Sequence, residues 1–224
     1  MIIEPKQKRA VVFIDGQNIF HSAKDAFGYR HPNFDVKKLA QKLCLNNTYT
    51  LSEIRFYTGI PDKEDKPFWN QFWSAKLSHM GKQGIWTFSR PLRYRPQSIV
   101  LPDGSISSEL VGQEKGIDIR IALDIVRLAR QGTYDVGIIF SQDQDLTEAV
   151  DEVKAISKDT CRWIRLESAF PDSPAARNRR GINGTAWIKI DKKLYDACID
   201  PTDYRPLKDN SGLVTGPGIE PGTT

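Results

Sequence analysis

Cysteine and histidine are scarce: three of each in 224 residues. Cys44, Cys161 and Cys198 are an odd number, widely spaced and without a CxxC pair, which argues against a disulfide framework and a structural zinc site. His21, His31 and His79 form no HExxH and no obvious ligand pair. No apolar run approaches the ~20 residues that span a bilayer. The opening MIIEPKQKRA lacks the apolar core of a signal peptide, so the expected location is cytoplasmic, with no membrane partner. No GxxxxGK[ST] is present, which sets aside a P-loop nucleotide hydrolase. The late GPGIEPG stretch is not a dinucleotide fingerprint either, because no strand precedes it and no helix follows.

What is present is ordinary globular composition: 39% hydrophobic and 10% aromatic residues, enough for a sizeable core. A net charge of +4 permits a nucleic-acid partner without establishing one. The length favours one α/β domain with decorations.

The run Ala10-Val11-Val12-Phe13-Ile14 has no polar alternation, the pattern of a strand covered on both faces. Asp15-Gly16 ends it, and helices are expected over 17–27 and 35–43, with a strand over 51–58. A helix over 63–80 carries Phe68, Trp69, Phe72 and Trp73, a stripe that reads as core or an oligomer contact rather than a base-stacking platform. A short strand over 85–88 precedes an inserted hairpin at about 90–112, turning at Pro102-Asp103-Gly104-Ser105. The clearest helix spans 117–131 with Gly132 just past its end. Strands at 136–140, 163–166 and 186–190 and a helix at 143–157 follow. The order β-α-β-α-β-(hairpin)-α-β-α-β implies a parallel sheet with helices on both faces, in one domain over 1–200, with 201–224 a loose Pro/Gly-containing tail.

Open parallel sheets bind ligands beyond the carboxyl ends of their strands. One buried strand runs into Asp15, and Gly-Ile-Ile-Phe runs into Ser141-Gln142-Asp143-Gln144-Asp145. The segment Glu114-Lys115-Gly116-Ile117-Asp118 opens the best helix with Asp118 in its first turn. Taken singly, each acid can be read as a turn or helix-cap residue. Together, Asp15, Asp118, Asp143 and Asp145 would repel one another unless a divalent cation relieved the conflict. Mg²⁺ or Mn²⁺ suits such oxygen donors, and an ion held there would orient a water and stabilise the leaving oxygen of a phosphodiester.

Phe13-Ile14-Asp15-Gly16-Gln17-Asn18-Ile19, Lys115-Gly116-Ile117-Asp118 with Asp124 beyond it, and Ser141-Gln142-Asp143-Gln144-Asp145-Leu146 resemble the NYN-domain (LabA-like) branch of the PIN-like nucleases, over roughly residues 9–190. The resemblance implies a PIN-like three-layer α/β/α sandwich with a mostly parallel central sheet. It implies a metal-dependent ribonuclease whose acids at Asp15, Asp118, Asp143 and Asp145 hold Mg²⁺ or Mn²⁺, with Asn18 supporting the site. The family usually has glycine where Gln142 stands and a small polar residue where Gln144 stands; the bulkier side chains would narrow the pocket or change the substrate.

Ser141 and Asp124 are further supporting candidates, although Asp124, six residues after Asp118, does not share its helix face. Lys115, Arg93, Arg95, Arg177, Arg179 and Arg180 are candidate RNA-phosphate contacts, or simply a solvated basic face. Single-stranded RNA is the expected partner, with self-association left open. The competing reading is a non-catalytic RNA-binding or regulatory module on the same fold. A haloacid-dehalogenase-type phosphatase ranks low, because the acid such chemistry needs two residues after Asp15 is Gln17.

Overall fold

The computed structural model describes residues 2–100 and 106–205. Its centre is a six-stranded sheet in the order β3-β2-β1-β6-β7-β8, from β1 (Lys8–Asp15), β2 (Tyr49–Ile60), β3 (Trp86–Pro91), β6 (Val136–Phe140), β7 (Arg165–Pro171) and β8 (Ala186–Ile190). Every pairing within it is parallel. Between β3 and β6 the chain makes an antiparallel hairpin, β4 (Arg93–Val100) with β5 (Ile106–Gln113). The Asp-Gly turn expected at its tip falls outside the described residues.

Side chains on a strand alternate between faces, and β1 divides its residues accordingly. Ala10, Val12 and Ile14 join a core with Ile19 and Ala23 of α1 (Gly16–Phe27), Leu39 and Leu43 of α2 (Val36–Asn46) and Phe72 and Trp73 of α3 (Pro67–Lys82). Val11 and Phe13 join a second core with Ile121, Ile125 and Leu128 of α4 (Ile117–Arg130) and Val150 and Val153 of α5 (Thr147–Asp159). Two helical layers therefore sandwich the sheet, which is why Ala10 to Ile14 are fully buried and the run shows no polar alternation. The α/β architecture, the parallel sheet and the inserted hairpin agree with the sequence expectation.

Differences are local. The helix expected from 143 starts instead with a single 3-10 turn, Gln144–Leu146, before α5. A short helix, α6 (Lys192–Asp196), has no counterpart in the sequence reading; five residues give too little periodicity to detect. Cys44 and Cys198 are buried as small hydrophobes, whereas Cys161 is exposed at a left-handed position after α5. Of the expected tail, residues 206–224 lie outside the described residues. Tyr204 is buried against Phe72 at its start. Among the described residues, no helix is long and apolar enough to cross a membrane.

Candidate active site

β1 and β6 lie side by side at the centre of the sheet, with Ile14 opposite Phe140. The strand order reverses direction between them, and the crevice at such a switch is where parallel sheets place ligands. Asp15 is the last residue of β1 and caps α1: its Oδ1 accepts from the Asn18 backbone N–H at 3.0 Å. Asn18 Oδ1 in turn accepts from the Gln142 N–H at 3.0 Å, so one side chain ties the end of β1 to the segment leaving β6. That segment is braced twice more. Ser141 Oγ accepts from the Asp143 N–H at 3.1 Å, and Ser168 Oγ of β7 donates to the Ser141 carbonyl at 2.6 Å.

The third element arrives from the hairpin. Gly116, in a left-handed conformation, precedes α4, and Asp118 sits half-buried in the first turn of that helix. A side chain at Gly116 would be strained and would meet the Arg90 guanidinium, with Nη1 2.7 Å from a Cβ. Glu114, half-buried just before it, accepts through Oε1 from the Gly59 N–H at the end of β2. Gly59 must be glycine for this contact, because a Cβ there would lie 2.8 Å from both Cγ and Oε1 of Glu114 and would also strike the Leu92 side chain.

The electrostatics of these groups are linked. Burial raises the Asp15 carboxyl from 3.8 to about 6, the bond from Asn18 opposes the rise, and the charges of Asp143 and Asp118 add to it. Burial likewise raises Glu114 from 4.5 to about 8, with Asp15 and Asp118 adding to the rise and the Gly59 N–H opposing it. Across this crevice Asp15 thus feels Asp118 and Asp143, and Glu114 feels Asp15 and Asp118, so acids from three chain-distant segments are linked through Asp15. Glu114 is the member that sequence reasoning did not single out. It shares the Glu-Lys-Gly-Ile-Asp run with Asp118, but lies in irregular chain where no periodicity assigns it a direction.

Asp145 is placed differently. It is exposed on the 3-10 turn, its N–H donates to Asp143 Oδ1 at 3.0 Å, and its charge is not among those that shift Asp15 or Glu114. Asp124 lies in the interior of α4, only 1% exposed. It accepts from Arg55 at 3.2 Å, Tyr57 at 2.9 Å, Arg120 at 3.2 Å and Arg127 at 2.9 Å. These partners occupy it fully as a structural counter-ion.

The candidate phosphate contacts divide into two groups. Arg177 Nε lies 2.7 Å from Asp25, and Arg179 makes a two-pronged pair with Asp172 at 2.7 and 2.9 Å. Lys115, Arg93, Arg95 and Arg180 are exposed, and their side chains form no ion pair among the described residues.

As arranged, no group of three or more His, Cys, Asp or Glu side chains among the described residues forms a ready-made metal cage. The donor set nevertheless fits a hard cation of the magnesium type. Such an ion keeps several waters and takes only one or two carboxylates with phosphate oxygens, and the mutual repulsion of these acids is what its charge would relieve.

No curated protein matches the sequence. A Vibrio parahaemolyticus protein of unknown function is similar at 16% identity and a TM-score of 0.49, over 85% of this chain and 98% of that one. MurG of Acinetobacter baumannii matches at 8% identity and a TM-score of 0.31, over 81% of this chain and 45% of that one. Both likenesses are too distant to carry an argument. The model of the NYN domain matches residues 9–167, a span that contains Asp15, Glu114, Asp118, Asp143 and Asp145, and on that match the chain belongs to the NYN family of PIN-like nucleases.

Proposed function

We propose that this protein is a metal-dependent endoribonuclease, hydrolysing RNA phosphodiester bonds to leave a 5′-phosphate and a 3′-hydroxyl. The observation that carries the reading is the coupling of Asp15, Glu114, Asp118 and Asp143, with two carboxyls held well above their ordinary range by burial and by their neighbours. Structural acids are normally paired with cations, as Asp124 is; these share a crevice with one another instead.

Asp15, Glu114, Asp118 and Asp143 would hold Mg²⁺ or Mn²⁺, with Asp145 at the margin. The bound ion would supply positive charge that makes the attacking water more acidic and offsets charge growing on the phosphate. The chain's own groups do the rest. Asn18 and Ser141 fix the two strand ends so that Asp15 and Asp143 keep their separation. Without the ion, burial and the neighbouring acids make Asp15 and Glu114 hold their protons more tightly than free carboxyls, and the ion's charge would favour their ionised, ligating forms. Lys115, Arg93, Arg95 and Arg180 offer exposed positive charge to a single-stranded RNA backbone.

The test is cleavage of end-labelled single-stranded RNA and DNA of matched sequence, in Mg²⁺, Mn²⁺ or EDTA, by the parent and by Asp143→Asn. RNA cleavage with either ion, silenced by EDTA and lost in Asp143→Asn, is the expected result. Equal cutting by parent and variant overturns the mechanism. RNA binding without turnover under every condition identifies a non-catalytic binding module.

A further inference from the structure

Three arginines lie within four residues of the loop between β7 and β8, and the structure treats them unequally. Arg177 donates from its backbone N–H and its Nε to Asp25, at 2.6 and 2.7 Å. Arg179 is committed to Asp172, whose carboxyl the pairing holds below its ordinary range. Arg180 is bound only through its backbone. Its N–H donates to Asn178 Oδ1 at 3.1 Å, its carbonyl accepts from Gln142 Nε2 at 2.9 Å, and its side chain forms no hydrogen bond or ion pair among the described residues.

An irregular loop must find partners for its backbone groups. Here two glutamines flanking Asp143 supply them. Gln142 is only 7% exposed and uses its whole amide: Oε1 accepts from Ser22 Oγ of α1 at 2.8 Å, and Nε2 donates to the carbonyls of Asn178 at 3.1 Å and Arg180 at 2.9 Å. Gln144 Nε2 donates to the carbonyls of Gln142 at 3.0 Å and Gly181 at 3.2 Å, while its Oε1 accepts from the Asn183 N–H at 3.1 Å. The loop from Asn178 to Asn183 is therefore bonded to the same stretch of chain that carries Asp143.

We propose that Gln142 and Gln144 are positioning residues that fix this loop beside the carboxylate crevice, so that Arg180, and not Arg177 or Arg179, is its contact to an RNA phosphate. The inference rests on the RNA-directed function proposed above. Fixing the loop in advance removes part of the ordering cost of gripping a flexible strand, and an arginine without a carboxylate partner has no ion pair to surrender when a phosphate arrives.

The experiment measures binding of a short fluorescein-labelled single-stranded RNA by anisotropy across a salt series, using the full chain with Asp143→Asn to prevent turnover. Arg180→Ala is expected to weaken binding about five- to tenfold and to lower the slope of log K against log salt by about 0.7, the loss of one phosphate contact. Gln142→Met keeps the side-chain length but cannot hold the two carbonyls; it should lose affinity and slope in the same way. Gln142→Met with Arg180→Ala should bind no more weakly than Arg180→Ala alone, because the glutamine acts through the arginine. Arg177→Ala should leave the slope unchanged. Gln144→Met, at an exposed position, gives the same test should Gln142→Met fail to fold. Losses that multiply in the double variant, or an unchanged slope in Arg180→Ala, overturn the inference alone. A parent that neither binds nor cuts the RNA overturns this inference together with the proposed function.

Discussion

Asp15→Asn should make the protein more stable at pH 8 while removing its response to divalent cations. Asparagine caps a helix about as well as aspartate, so its side-chain oxygen can keep the bond from the Asn18 N–H and α1 should start unchanged. What disappears is the charge. A carboxyl whose folded pKa is raised binds its proton more tightly folded than unfolded, so stability is greatest below the unfolded value and falls as pH climbs toward the folded one. For Asp15 that window runs from 3.8 to about 6. At about 1.4 kcal/mol per pH unit, the full rise corresponds to about 3 kcal/mol of stability absent at pH 8. In a chain of this length 1 kcal/mol moves Tm by about 2–4 °C, so the variant should melt about 6–12 °C above the parent at pH 8. Near pH 4 the two should nearly coincide. His31, whose proton burial disfavours, acts equally in both chains and cancels from the difference. Melting followed by far-UV circular dichroism in chelator, between pH 4 and 8.5, gives the comparison. Added Mn²⁺ should then raise the parent's Tm and narrow the gap. A variant that melts at or below the parent at pH 8, or a gap of equal size at pH 4 and pH 8, refutes the account of a strained acid cluster.

Other perturbations separate site from scaffold. Glu114→Gln retains an oxygen for the Gly59 N–H but removes the charge; Tm in chelator at pH 8.5 should rise, and the Mn²⁺ concentration giving half of the maximal Tm increase should rise as well. Gly59→Ala should displace Glu114 from the crevice and slow RNA cleavage more than it lowers Tm, read by pairing initial rates with melts. Asp124→Asn removes the buried acid that Arg55, Arg120 and Arg127 share, leaving Arg55 only its pair with Glu53, and should lower the unfolding free energy in urea by about 3 kcal/mol, while the remaining folded fraction keeps its Mn²⁺ response.

Asp15, Asp118 and Asp143 could be read from the chain because each sits at a marked boundary: an unbroken apolar run ends in Asp15, another ends just before Ser141, and a strongly periodic helix opens at Ile117. Those boundaries are set by local burial and turn chemistry, which one sequence displays. Glu114 could not be read in the same way, since its direction depends on a hairpin folding back until the segment meets Gly59, 55 residues earlier. Asp145 shares with Asp143 the short spacing that suggests a common task, but a 3-10 turn rotates it toward solvent, and nothing in the pattern distinguishes that turn from the start of α5. The pairing of Arg177 with Asp25 and the bridging role of Asn18 are tertiary as well; each joins residues more than 100 positions apart.

The sheet order also has a use beyond catalysis. β3, β2 and β1 come from the first half of the chain and β6, β7 and β8 from the second, and within the sheet the halves pair only along the seam between β1 and β6. Asp15 belongs to one half, while Glu114, Asp118 and Asp143 belong to the other. A polypeptide severed between β4 and β5 would thus yield two pieces, neither carrying a complete acid set, and recovery of turnover on mixing them would report their docking.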